Sequence, residues 1–170
     1  MFAVDFGAVQ VGSAALRTLP PPARVVSVSG VGFSATTSKR GVVLAYEPYE
    51  PGDTDTGRLV LRIGSRVVQI PLRGHGIDTI APTLTVTTPH ATGAGGTLVV
   101  RFTAADNDLV TACTLAVAGR RVVRARWPVT SLRWRVPATL RGAIRIVVSA
   151  VDRAGNVASV ARTVGVQPKP

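Results

Sequence analysis

The stretch AIRIVVSAVDRAGNVASVARTVGV, from Ala143 to Val166, admits few folds. Before its turn, Ile144, Ile146, Val148 and Ala150 take one face, and Arg145, Val147, Ser149 and Val151 take the other. A period of two marks a strand with one face toward a core. Asp152-Arg153-Ala154-Gly155-Asn156 then supplies turn chemistry, because Asp and Asn bond their own backbone and Gly tolerates positive φ. After the turn, Val160, Arg162, Val164 and Val166 share a phase, which sets an Arg among core residues. A bulge near Ala161, or a rim position for Arg162, resolves that conflict. A hairpin with one apolar face needs a second layer to cover it, so the stretch predicts a β-sandwich.

The same grammar extends over the whole chain. Strands are expected at 3–11, 15–19, 25–34, 41–47, 57–63 and 66–73, then at 83–88, 97–105, 112–118, 121–126, 131–136, 143–151 and 157–166. Pro20-Pro21-Pro22, Thr37-Ser38-Lys39-Arg40, Pro51-Gly52-Asp53 and Gly64-Ser65 punctuate the first group, and GAGG at 93–96 reads as a flexible hairpin turn. The hydrophobic content of 46% is mostly Val and Ala, with few aromatics, and β-branched Val favours strands. Helical apolar stripes with caps are absent from the sequence. The expected core comprises Phe6, Val28, Leu44, Tyr46, Leu59, Leu61, Ile70, Val100, Phe102, Leu115, Trp134, Ile144, Ile146 and Val148.

A boundary falls in GHGIDTIAPT. Gly74, His75 and Gly76 break the strand pattern there, and Pro82 opens the next strand. Pro71 lacks an amide hydrogen, so its strand is an edge or is bonded on one side only at that point. The fold class expected is all-β, as two tandem immunoglobulin-like β-sandwiches. Residues 1–77 form the first, 78–82 a short linker stiffened by Pro82, 83–167 the second, and 168–170 the start of a further linker.

The net charge of +11 is unevenly spread. Residues 1–78 carry 8 basic and 6 acidic groups (+2), and the remainder carries 12 and 3 (+9). All basic residues but Lys39 and Lys169 are Arg, which fits a GC-rich coding sequence or a basic face for polyanions. Arg120, Arg121, Arg124, Arg126, Arg133, Arg135, Arg141, Arg145 and Arg153 crowd one stretch. In LRWRV, Leu132, Trp134 and Val136 face inward and Arg133 and Arg135 outward. If their strand neighbours that of Arg145, a basic stripe forms on one sheet face. Arg121, Arg124, Arg126, Arg133, Arg135 and Arg145 are the candidate polyanion ligands, because guanidinium forks match phosphates, sulfates and carboxylates. A solvated strand face, or an interface with an acidic neighbouring domain, is the alternative. Trp127 precedes Pro128 and Trp134 points inward, so no aromatic platform interleaves with the Arg residues, which disfavours nucleic acid.

Asp106, Asp108, Asp152 and Asn156 offer oxygens suited to calcium, although their spacing is not that of an EF-hand and turn capping accounts for them equally. Glu47, Glu50, Asp53 and Asp55 read as a solvated loop. Isolated His75 and His90 make neither a metal site nor a triad, and no activated-serine motif occurs. No enzyme activity and no cofactor is expected. Cys113, the single cysteine, falls in the phase of Leu115 and Val117 and reads as a core residue. No run approaches the roughly 18 apolar residues of a membrane helix, so no membrane insertion is expected. Residues 1–16 lack a signal-peptide pattern, and the sequence reads as a segment of a longer protein.

Five pieces carry a resemblance in the first half: VDFGAVQVGS (4–13), SVSGVGFS (27–34), YEPYEPG (46–52), GRLVLRI (57–63) and VVQIPLRGHG (67–76). In that order they resemble immunoglobulin-like modules of the abnormal-spindle/Hydin (ASH) type. RTLPPPAR (17–24) departs from that family, which carries a fuller second strand and an Asn-centred turn. APTLTVTTP (81–89), FTAADNDLVTACTLAVAG (102–119) and VSAVDRAGNVAS (148–159) are similar to bacterial immunoglobulin-like repeats, with the Asp-x-Ala-Gly-Asn turn as the most specific mark. The resemblances imply a non-enzymatic spacer or adhesive segment of a bacterial cell-surface or secreted protein. Its partners would be neighbouring domains of the same parent chain and acidic surface glycans. A polyanion-binding module and the accessory domains of a secreted hydrolase are the alternatives.

Overall fold

The computed structural model of the chain describes residues 3–52 and 54–168. Asp53 of the acidic loop and Lys169 lie outside the described residues. Every regular element among the described residues is a strand, so the protein is all-β. The chain divides into two compact units, one up to Thr79 and one from Ile80. Each has its own core, and each is an immunoglobulin-like sandwich by its strand order.

In the first unit, β1 (Val4–Gln10), β7 (Arg66–Ile77), β6 (Thr54–Ile63) and β3 (Arg24–Ser29) form one sheet in that order. β2 (Ala15–Leu19), β5 (Gly41–Tyr46) and β4 (Phe33–Ser38) form the other. β5 is central and contributes Val42, Leu44 and Tyr46, all at 0% exposure, against Leu59, Leu61 and Leu72 of the facing sheet. Phe6, Phe33 and Tyr46 pack ring on ring, with centroids 4.8–5.9 Å apart. β2 pairs with β5 along its whole length despite the short RTLPPPAR segment. At the end of β7, Gln10 donates to Asp78 (2.6 Å) and accepts from Thr79, which fastens the strand's exit to β1.

Three first-unit expectations are corrected. The strand expected at 25–34 is two strands in different sheets. Gly30 (φ 110°) and Gly32 (φ 75°) turn the chain between them, and a Cβ at Gly30 would lie 2.6 Å from Gly57 Cα. β4 then continues to Ser38, so the turn expected at 37–40 begins later. β7 does not stop at Gly74. It runs to Ile77, paired with Thr54 and Asp55 of β6 and with Ala8–Gln10 of β1, and the Tyr46 ring occupies the space a Cβ at Gly74 would fill. Glycine there serves close packing rather than a break. Pro71 faces Arg58 on β6, while pairing with β1 begins only at Leu72, so it is bonded on one side.

In the second unit, β13 (Ser131–Arg135), β10 (Thr97–Ala105) and β8 (Thr83–Thr87) form a three-stranded sheet. β12 (Arg120–Arg126), β11 (Val110–Val117), β14 (Gly142–Asp152), β15 (Val157–Gln167) and β9 (Ala91–Gly93) form a five-stranded one. Leu98, Val100, Cys113, Leu115, Ile146, Val148, Ala150 and Val164 are fully buried between the sheets. β9, unforeseen in the sequence, pairs parallel with Gly165–Gln167, so GAGG carries the chain from one sheet to the other instead of closing a hairpin. The β14–β15 register is unbroken, and no bulge occurs at Ala161. Arg162 is exposed opposite Ile146 and donates to the Ala161 carbonyl (2.9 Å). β9 covers only the far end of β15, which leaves the middle open to solvent. Of the expected core, Val28, Ile70 and Trp134 are half-buried, packed against the clusters rather than enclosed.

Candidate functional site

The 152–156 turn is built as the sequence chemistry requires. Asp152, 2% exposed, accepts from the Asn156 backbone N–H (2.8 Å) and from its side-chain amide (2.9 Å). The Asn156 amide also donates to the Ile80 carbonyl (3.3 Å). Asp106 accepts from the Asp108 N–H (3.1 Å), and Asp108 lies 3.6 Å from the Arg153 Nε. The fold therefore brings Asp106, Asp108, Asp152 and Asn156 to one end of the second unit. Carboxylate oxygens of Asp106 and Asp152 lie within 4.8 Å of one another. Both carboxylate oxygens of Asp152 and one of Asp106 are engaged in turn hydrogen bonds, and Arg153 sets a positive charge beside Asp108. Calcium takes six to eight oxygens, and this arrangement is above all a fastened turn.

The six candidate arginines do not form one stripe. β13 and β14 lie in different sheets, so Arg133 and Arg135 stand on the outer face of the three-stranded sheet, with Arg101 of β10. Arg121, Arg124 and Arg126 of β12, with Arg145 of β14, stand on the outer face of the five-stranded sheet. All are exposed, and none of the six makes an ion pair among the described residues. The condition for a stripe, that the strands of Arg133–Arg135 and Arg145 be neighbours, is not met, because a crossing between sheets over 136–141 separates them.

Leu109, Val110, Thr111, Ala112, Arg124, Arg126, Trp127 and Pro128 line an open cleft of about 470 Å³ in the second unit. Two elements make it. β11 and β12 pair in a hairpin whose turn, Ala118-Gly119, has both φ positive, as two-residue turns require. That register sets Arg126 opposite Ala112 and Arg124 opposite Thr114. Beyond β12, the Trp127 backbone N–H donates to the Thr111 carbonyl (3.0 Å), which holds that residue's main chain beside the start of β11. Trp127 is half-buried against the core, and Leu109 is 42% exposed. In the sequence Trp127 reads only as a residue before proline. The fold places it with two arginines, and the run Arg124-Ala125-Arg126-Trp127-Pro128 was the signal available.

The titratable groups that shift lie in the cores. Burial first, then the hydrogen bond to Asp55 and its charge, push the Tyr46 hydroxyl well above the ordinary tyrosine range. Burial pushes the Cys113 thiol up, consistent with a packing role. His75 lies within β7, half-buried, and His90 is exposed before β9. Among the described residues, no helix is long and apolar enough to cross a membrane.

No protein-family model and no curated protein matches the chain. Among solved structures it is similar to the fibronectin(III)-like modules of Clostridium thermocellum CbhA (TM-score 0.48, 16% identity, 98% of this chain and 90% of that one). It is also similar to the titin pair A168–A169 (TM-score 0.45, 15% identity, 99% and 97%) and to the titin immunoglobulin tandem A164–A165 (TM-score 0.40, 12% identity, 97% and 94%). Likeness at this identity bears on fold alone, and the assignment of two immunoglobulin-like sandwiches in tandem rests on the strand orders described above.

Proposed function

We propose that the chain is a non-enzymatic spacer or adhesive segment of a larger bacterial cell-surface or secreted protein. Its first unit would be of the ASH/Hydin type and its second a bacterial immunoglobulin-like repeat marked by Asp152-Arg153-Ala154-Gly155-Asn156. The proposed setting is extracellular, between neighbouring domains of the same parent chain. One observation carries the mechanical part: in the first unit the first and last strands, β1 and β7, lie side by side and parallel. Tension applied at the two ends of that unit draws such strands along each other. Their hydrogen bonds then share the load in shear instead of opening one at a time. In the second unit the second strand, β9, lies parallel beside the last, β15, over three residue pairs.

Stretching single molecules by their ends tests the reading. Two separate unfolding steps are expected, each releasing roughly 25 nm of chain at about 3.5 Å per residue. The second unit, with its shorter parallel pair, is expected to yield first. Smooth extension without steps would refute a load-bearing role.

A further inference from the structure

The cleft beside β12 holds more chemistry than a spacer uses. Arg124 and Arg126 stand two residues apart on one side of an edge strand, about 6.5 Å from each other along the backbone. Neither is neutralised by a carboxylate among the described residues. Arg121 continues the row on the same face. The remaining lining is largely apolar: Leu109 and Pro128 are exposed, and Trp127 shows part of its ring.

We propose that this cleft, centred on Arg124, Arg126 and Trp127, binds an acidic polysaccharide. Guanidinium forks take carboxylate or sulfate groups in paired hydrogen bonds. An apolar wall beside them takes the C–H face of a sugar ring, the usual division of labour in a ligand cleft. β12 is the edge strand of its sheet, so no hydrogen-bonded neighbour flanks the row of arginines on that side. Nucleic acid fits less well. Single strands bind by stacking bases on exposed aromatic faces. The aromatic residues of this unit are Phe102, which is buried, and Trp127 and Trp134, which are half-buried against the core. The inference goes beyond the spacer reading and does not depend on it.

The test uses the whole chain carrying Trp134→Phe, so that Trp127 is the only indole, with titration followed by its fluorescence. Polygalacturonate and dextran sulfate supply carboxylate and sulfate, neutral dextran is the control, and a single-stranded DNA oligonucleotide is the competing class. Saturable change with an acidic polysaccharide, absent with dextran and weakening steeply with salt, is expected. The tighter of the two polymers identifies the acid group. Arg124→Ser with Arg126→Ser should weaken binding about tenfold or more. Arg133→Ser with Arg135→Ser, removing equal charge from the opposite outer face, should change it less than about threefold. Thermal melts followed at Trp127 check that both pairs fold, and binding by the parent chain stands without either. No saturable binding at about 50 mM salt overturns the proposal. So do equal losses from the two pairs, which reveal diffuse charge attraction, and so does tighter binding of the oligonucleotide.

Discussion

Tyr46→Phe isolates one interaction of the first core. The ring stays, stacked on Phe33 (4.8 Å) and tilted against Phe6 (5.7 Å), so the apolar packing survives. What goes is the hydroxyl, which donates to Asp55 Oδ2 at 2.6 Å. A hydrogen bond to a charged group contributes about 1.5–3 kcal/mol. Asp55 is half-buried, so water re-solvates part of the carboxylate once the donor is lost. The expected cost is therefore about 1–2 kcal/mol. For a unit of this size, that lowers its melting temperature by about 5–15 °C. Both tryptophans lie in the second unit, so the transition followed by tryptophan fluorescence should not move, and calorimetry should show only the other one shifting.

The same hydroxyl gives the first unit an alkaline limit. Its proton is held more tightly in the folded state than in the unfolded chain, where tyrosine titrates near pH 10. Its stabilising contribution is therefore full below about pH 10 and is lost as pH rises beyond it, at about 1.4 kcal/mol per pH unit while the folded hydroxyl stays protonated. Tyr46→Phe should flatten that slope. A neutral-pH shift below about 2 °C, or an unchanged alkaline slope in the variant, refutes the reasoning.

Gly74→Ala places a methyl 2.3 Å from a Tyr46 ring atom and should cost the first unit about 1–3 kcal/mol or more, read from its denaturant midpoint. Trp134→Ala removes a ring that is half-buried rather than enclosed, so the second unit should lose about 1–3 kcal/mol, less than the 3–5 of a fully buried tryptophan, with Trp127 still reporting the transition. Asp152→Ala strips the Asn156 N–H and amide of their acceptor at a site 2% exposed and should cost about 1–3 kcal/mol, seen as a lower second-unit midpoint at pH 7.

Strands whose alternation runs unbroken were readable from residues alone. β10, with Leu98, Val100 and Phe102 inward, and β14, with Ile144, Ile146 and Val148, sit as their period requires. The failures have particular causes. The apolar phase shifts from Val28 to Val31 and Phe33 across Gly30 and Gly32, which marks a break in the strand, but nothing in the pattern shows that β3 and β4 then belong to different sheets. Gly74 reads as a break until the Tyr46 ring, 28 positions earlier, is known to lie on it. β9 is too short to show a period, and parallel pairing with β15, more than 70 positions away, decides it. Trp134 has the inward phase but stands on an edge strand of its sheet, where the partner layer covers only part of a large ring.

The arginines show a deeper limit. Alternation tells which side of its strand a charge occupies, and Arg133, Arg135 and Arg145 are exposed as their outward phase requires. It says nothing about which outer faces coincide. Arg126 and Arg133 are seven positions apart and stand on opposite sides of the sandwich, because the chain changes sheets between β12 and β13. Leu109 is 15 positions from Arg124, yet both line one cleft, because the Ala118-Gly119 turn folds β12 back along β11. Proximity here is set by hairpin register and sheet crossings, both non-local. Charge density in the sequence therefore locates a basic domain, but only the pairing of Ala112 with Arg126 and the Trp127–Thr111 hydrogen bond turn two of its arginines into a lined cleft with an apolar wall.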